Sequence, residues 1–346
     1  MSSLPSILVL GAGELGLAIL SALAKSEPKP STTVLLRREP GPPLHQKLQH
    51  YDMKIEYADI VAAPSSHLAD IFRNFDVVIG ATGMTFPPGT QRKLAEAAVA
   101  AAASSPALSE DGSEKTERML RLYVPWQMGV DYDAIGFTAG KAYSMPLFDE
   151  QLSIRHFLRS QTSLKWVVVS VGVFTEFFFS LDFGVVVHHT PRESDVGAEG
   201  LKNDGGVVRA LGSPENCITV TSTSDVGRVV AYAALHPPSS ADKGVRDGVV
   251  RVAGSTMSYT QLADALQRVR GGKWRVEQMG DATMGDDMMG QYRRVFSRGV
   301  GVVWDESETW EGDWEGRKGL RKLQTVGEWM EEKYNLYGDT SDKDLS

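Results

Sequence analysis

The stretch "ILVLGAGELGLAIL" at residues 7–20 puts Gly11, Gly13 and Gly16 in a G-x-G-x-x-G spacing between an apolar run and an apolar-periodic one. No other feature of the chain constrains its fold as tightly. "ILVL" (7–10) is short and uniformly apolar, as a strand covered on both faces of a parallel sheet must be. Leu15, Ala18, Ile19, Ala22 and Leu23 then recur at helical spacing. At such a turn Gly11 permits a tight reversal, Gly13 lets a pyrophosphate approach the backbone, and Gly16 lets helix and strand pack closely. The helix start adds unsatisfied N–H groups and a positive dipole end. A dinucleotide is therefore expected over Gly11, Gly13, Glu14, Leu15 and Gly16.

The strand–helix rhythm continues. Strands are expected at 32–38, 53–60, 76–83, 121–125 and 164–172, and helices at 90–103 and 146–160. This alternation implies an α/β fold, a doubly wound Rossmann-type parallel sheet with a smaller C-terminal substrate lobe. The expected division gives 1–172 to the cofactor domain, completed by about 217–254. Residues 173–216 and 255–338 form the lobe, and 339–346 a disordered tail. The polar stretch 104–118 reads as a surface insertion. "WVVVSVGVFTEFFFSLDFGVVV" (166–187) is long enough to span a bilayer, but it carries Glu176 and Asp182 and is rich in β-branched and aromatic residues. Buried strands with a functional turn are expected there, and no membrane association.

Charge and cysteine narrow the function class. A net charge of −8 and the lack of a basic stripe argue against a nucleic-acid partner. Cys217 is the only cysteine, the start lacks the charged region of a signal peptide, and a reducing, cytoplasmic setting is expected. His188 and His189 have no third ligand at useful spacing, so no metal is expected.

Two features refine the cofactor. An NAD site usually carries an acidic residue at the end of the second strand, and here Arg37 and Arg38 occupy that place. Two guanidinium groups suit a 2′-phosphate, which points to NADP(H). Glu39 follows and remains a second candidate for the ribose. "GATG" (80–83) brings Thr82 and Gly83 to the same sheet edge. The Tyr-x-x-x-Lys proton relay of short-chain dehydrogenases is absent: none of the ten tyrosines has a lysine four residues on.

"YVPWQMGVDYDAIG" (123–136), "LFDEQLSIRHFLRSQ" (147–161) and "WVVVSVGVFTEFFF" (166–179) resemble the NmrA-like, isoflavone-reductase-like family of atypical short-chain dehydrogenases, in its fungal aromatic alcohol reductase branch. "RALGSPENCITVTSTSDVGRVVA" (209–231), "VRVAGSTMSYTQLADAL" (250–266) and "YRRVFSRGVGVVWD" (292–305) extend the resemblance. It implies an NADPH-dependent reductase of an aromatic or heteroaromatic small molecule in fungal secondary metabolism, and it admits a homodimer. It also implies that Phe174 and its neighbours face the nicotinamide.

The family's lysine proton handler falls on Gln151, which cannot act as a general acid. Leu147, Gln151, Ile154 and Leu158 share one helix face, so Gln151 is either a structural amide satisfied by backbone or one that faces nicotinamide or substrate. Lys141, Asp131 and Glu176 are the other candidate proton handlers, Glu176 because an apolar setting raises a carboxyl pKa. Asp149 and Glu150 read as first-turn dipole residues. Trp126, Gln127, Tyr132, Phe174 and Phe177 are expected to wall a flat substrate near the strand ends. A redox-neutral cyclisation or isomerisation in the same pocket, and a non-enzymatic NADP(H)-sensing regulator of the NmrA type, are the alternatives.

Overall fold

The fold comes from a computed structural model that describes residues 4–83, 86–103, 119–141, 144–188, 205–240, 245–304, 308–310 and 322–336. The expected insertion at 104–118, the tail at 339–346, and His189 lie outside these residues. The chain divides into two compact units, the first made of Met1–Met128, Pro146–Ser170 and Thr223–Val250. The second comprises Gly129–Met145, Val171–Ser222 and Arg251–Ser346.

Unit 1 is built on six parallel strands: β1 (Ser6–Leu10), β2 (Ser31–Leu36), β3 (Lys54–Tyr57), β4 (Val77–Gly80), β5 (Leu122–Val124) and β6 (Lys165–Trp166). Their order is β3-β2-β1-β4-β5-β6. Ile7, Leu8, Val9 and Leu10 of β1 are fully buried, which explains the uninterrupted apolar run: a central parallel strand is covered on both faces. Each such side chain contributes about 1.5–3 kcal/mol of burial free energy. The direction of winding reverses at β1, between its neighbours β2 and β4. Open α/β sheets bind ligands beyond the strand ends at that point.

Helices α1 (Glu14–Ala24), α2 (Pro42–His50), α3 (Ser65–Phe72) and α4 (Thr90–Ala103) follow the first four strands. The four-residue α5 (Tyr132–Ile135) belongs to unit 2, and α6 (Pro146–Arg159) returns the chain to unit 1. Leu68, Phe72, Leu94, Ala98, Ile154 and Leu158 pack into one core with Leu8, Leu10 and Val78 of the sheet. The alanine repeat of α4 is thus a close-packing face.

The expected single strand at 164–172 is divided three ways. After β6, β7 (Val168–Ser170) joins a different sheet, and β8 (Val173–Phe174) belongs to unit 2. Gly172, between β7 and β8, has φ +79°, and a Cβ there would lie 2.0 Å from the Thr219 carbonyl oxygen. An L side chain is excluded on both counts, and the chain turns out of its first sheet at this glycine. The second apolar stretch resolves into short pieces, ending with α7 (Thr175–Phe178) and β9 (Val186–His188). His188 closes β9. No helix among the described residues is long and apolar enough to cross a membrane.

In unit 2, β9 pairs with β10 (Gly205–Ala210), and β8 pairs in parallel with β11 (Cys217–Thr221). The chain then re-enters unit 1 as α8 (Thr223–Leu235), β12 (Val245–Arg246) and β13 (Val249–Arg251), the last two sharing a small sheet with β7. Helix α8 lies directly on α1, because a Cβ on Gly227 would stand 2.5 Å from the Ala18 carbonyl carbon. The expected boundaries differ from the observed ones at 129–145, 171–172, 217–222 and 251–254. These residues fall in unit 2, since β11 finds its partners in β8 and β14 (Ser255–Ser258) rather than in the main sheet.

Helix α9 (Tyr259–Arg270) opens on Ser258, which caps it as a full capping box with Gln261. β15 (Lys273–Gln278) pairs with β10, and α10 (Asp281–Met284), α11 (Met288–Phe296) and α12 (Val326–Leu336) complete the unit.

Candidate functional site

The glycine loop follows β1 directly. Gly11 adopts φ +105°, and a Cβ there would press to 3.2 Å from the Ala81 carbonyl oxygen at the end of β4. A Cβ on Gly16 would lie 2.3 Å from the Gly11 carbonyl oxygen, so only glycine lets α1 start this close to the strand. Gly13 is different. A Cβ there would meet nothing within 4 Å, and as the N-cap residue it brings no side chain to the first N–H groups of α1. The helix end is therefore open to a ligand and keeps its unclaimed donors.

That open face borders a cavity of about 620 Å³, within the usual range for a small-molecule site. Gly11, Gly13, Arg37, Arg38, Glu39 and Thr82 all line it. β2 ends at Leu36, two residues short of the expected strand, so Arg37 and Arg38 lie past it, exposed, and line the cavity. Leu15 and Gly16 are buried beneath the loop, while Glu14 is exposed and accepts a hydrogen bond from Thr223 Oγ1 (3.2 Å).

The walls are tied to the helices behind them. The Asp59 carboxylate accepts from the Val61 (2.9 Å) and Ala62 (3.2 Å) N–H groups. These two bonds, led by Ala62 and assisted by the Arg37 charge, hold its pKa below the ordinary Asp value. Lys93 Nζ donates to the Val61 (2.8 Å) and Ala63 (2.9 Å) carbonyls. Gln91 Nε2 donates to Thr82 Oγ1 (2.7 Å) and the Gly83 carbonyl (3.3 Å). Glu150, read from sequence as serving its own helix, instead accepts from Gly89 N (3.1 Å) and Arg92 N (3.2 Å) at the start of α4.

A second polar group lies within unit 1 between β5 and α6. Trp126 is half-buried, and its backbone passes β4 closely enough that a Cβ on Gly80 would stand 2.7 Å from Trp126 N. Gln127 is buried. It donates from Nε2 to the Gln151 carbonyl (2.9 Å) and accepts at Oε1 from Arg155 Nε (2.9 Å). Arg155 Nη2 continues the chain to Ser170 Oγ (3.0 Å). Gln151 stands apart: it is fully buried, and neither its amide nitrogen nor its amide oxygen has a hydrogen-bond partner among the described residues. The backbone-satisfied amide is thus not what the structure holds.

The remaining candidates belong to unit 2. Asp131 caps α5 through the Asp133 (3.1 Å) and Ala134 (3.4 Å) N–H groups, and its other oxygen is paired with Arg251. Lys141 is exposed, with Nζ 3.5 Å from the Ile135 carbonyl. Glu176 accepts from Trp329 Nε1 (3.1 Å). Phe174 is half-buried where α7 begins. The Phe177 ring lies 5.0 Å from that of Phe183 and 5.9 Å from that of Tyr292. Burial first, and the neighbouring Tyr132 second, push the Tyr292 phenol far above its ordinary pKa. Tyr292 therefore stays neutral beside two of the expected wall residues.

Gln91, Arg155 and Tyr292 were missed from sequence. Gln91 and Arg155 leave one weak signal, a long polar side chain on a helix face that is otherwise apolar. Among the described residues no His, Cys, Asp and Glu cluster has the makings of a metal site.

No protein-family model matches the chain. An "NmrA-like family domain-containing oxidoreductase" of Gibberella moniliformis (strain M3125 / FGSC 7600) is 35% identical over 319 residues, 88% of this chain and 91% of that protein. Solved structures share the fold at much lower identity. AtPrR2 with NADP+ and (+)pinoresinol has a TM-score of 0.66 at 14% identity, covering 96% of this chain and 99% of that one. An isoflavone reductase has 0.65 at 16%, covering 95% and 99%. NmrA, a negative transcriptional regulator in complex with NADP, has 0.55 at 13%, covering 99% and 93%. The six-stranded order, the glycine loop and a full-length relative at this identity agree: the chain belongs to the NmrA-like family.

Proposed function

We propose that this protein binds NADP(H) and reduces an aromatic or heteroaromatic small molecule with a ketone, benzylic or imine acceptor. The observation that carries the reading is the cavity over the glycine loop with Arg37 and Arg38 lining it. The residues fit the group. Gly13 leaves open space where a diphosphate would lie, the first N–H groups of α1 face it, and two guanidinium groups stand where a 2′-phosphate would reach. NADPH, when bound, supplies a hydride.

The protein's own part is binding, orientation and proton supply. Gly11 and Gly16 bring helix and strand together; Arg37 and Arg38 hold the phosphate end. Gln151, with a buried and uncommitted amide, can orient a carbonyl or amide group but has no proton to release. An imine or iminium acceptor suits that limit, because its nitrogen takes a proton from water before hydride arrives. The relative named as an oxidoreductase supports the enzymatic reading. A dinucleotide-sensing regulator is the second reading, and the amide at position 151 in place of an acid favours it.

The test is to incubate purified protein and NADPH with conjugated aryl ketones, benzylic ethers and cyclic imines, following NADPH absorbance and product mass together. A product two mass units heavier, with matching NADPH loss, is expected. An isomer formed without NADPH loss refutes net reduction. Tight NADPH binding with no turnover across the panel favours the regulator.

A further inference from the structure

Thr82 lines the cavity just beyond the end of β4, and Gln91, on α4, reaches its hydroxyl. Gln91 is buried, and its amide nitrogen lies 2.7 Å from Thr82 Oγ1 and 3.3 Å from the Gly83 carbonyl oxygen. The Gly83 carbonyl only accepts, so it decides which end of the amide turns this way: the NH2 group, with one hydrogen for each oxygen. Thr82 Oγ1 thus receives a hydrogen bond from behind. A hydroxyl that accepts from one side keeps its own proton for another.

We propose that Gln91 is a positioning residue that sets the Thr82 hydroxyl as a hydrogen-bond donor into the cofactor cavity. The acceptor is an oxygen of the diphosphate. A Cβ on Gly11, the first glycine of the phosphate loop, would lie only 3.8 Å from Thr82 Cα, so Thr82 stands beside the phosphate loop. The arginine end of the cavity is served by other groups. This inference rests on the NADP(H) reading.

The position of the donor hydrogen can be reversed without changing size. Gln91→Glu places a carboxylate behind Thr82, which accepts a hydrogen bond from the hydroxyl and so leaves it without a proton to donate to the ligand. Thr82→Val removes the hydroxyl and keeps the shape. Each is expected to weaken NADP+ binding about fivefold to tenfold, the size of one hydrogen bond to a charged or polar acceptor. Thr82→Ser is expected to bind as wild type. Affinity for 2′-AMP, which lacks the diphosphate, is expected to hold within about twofold in all of them.

A double-mutant cycle measured by calorimetry with NADP+ separates positioning from mere structure. If Gln91 acts through the hydroxyl, Gln91→Glu costs nothing further in the Thr82→Val background. If the Gln91→Glu loss is undiminished there, it comes from loop distortion or from the added charge, and the proposal is overturned. Equal weakening toward 2′-AMP overturns it as well. Wild-type protein that does not bind NADP+ at all removes the underlying reading instead, so the two failures are distinguishable.

Discussion

Replacing Gln151 by Met is expected to make the protein more stable. A primary amide buried without partners loses its bonds to water and gains none in return, at about 1–3 kcal/mol. Gln151 is fully buried with both polar atoms unmatched. Met has nearly the same length and shape, so the exchange opens little cavity and adds little strain. The expected gain is about 1–3 kcal/mol, which corresponds to about 2–4 °C in Tm per kcal/mol for a unit of 150–250 residues. The assay is urea unfolding of the ligand-free protein, with the midpoint rising and the slope unchanged.

Gln127→Leu is the contrasting control. Its amide is consumed on both sides, and its loss strands a buried guanidinium N–H of Arg155, for a cost of about 3 kcal/mol or more. If Gln151→Met instead loses 1 kcal/mol or more, the amide is satisfied in solution and the argument for an uncommitted group at this position fails.

Three further outcomes are expected. Arg37→Ala and Arg38→Ala each weaken NADP+ binding by about tenfold to a hundredfold, as loss of a charge-assisted phosphate contact should, while NAD+ binding changes little; calorimetry with both dinucleotides checks this. Gly227→Ala forces a methyl group against the Ala18 backbone where α8 crosses α1, and a loss of about 2 kcal/mol is expected in urea unfolding. Burial raises the pKa of Tyr123, Tyr259 and Tyr292 above the ordinary 10.0. Because the folded values lie above the unfolded one, their contribution is complete below pH 10 and fades as pH rises beyond it. An ultraviolet titration should show these three phenols ionising only as the protein unfolds.

Much of the frame was legible in the residues, because short-range rules govern it. The β1–loop–α1 unit follows from an apolar run, three glycines and a helical period. The division of residues 164–172 was not legible. Gly172 is plain in the sequence, but the close approach of Thr219, some 47 residues away in the chain, is a tertiary contact that no local pattern reveals.

The candidate site divides in the same way. Gly11, Gly13, Arg37, Arg38 and Thr82 meet at one cavity, as their places at strand ends suggested. Polar residues read as proton handlers or wall residues have partners that no local pattern reveals: Asp131 is paired with Arg251, Glu176 with Trp329, and Gln127 with Arg155. Glu150 shows the same limit. Its place in the first turn of α6 suggested service to that helix, yet it binds the start of α4, which only packing brings within reach.

The glycine loop and its two arginines are tested most directly by a titration of the purified wild-type protein with NADPH and with NADH. Energy transfer from tryptophan to the reduced nicotinamide reports binding of either. NADPH is expected to bind at least about tenfold more tightly, since only it presents a 2′-phosphate to Arg37 and Arg38. Equal affinity for the two, or no binding of either, would contradict the reading of the glycine loop and its two arginines as an NADP(H) site.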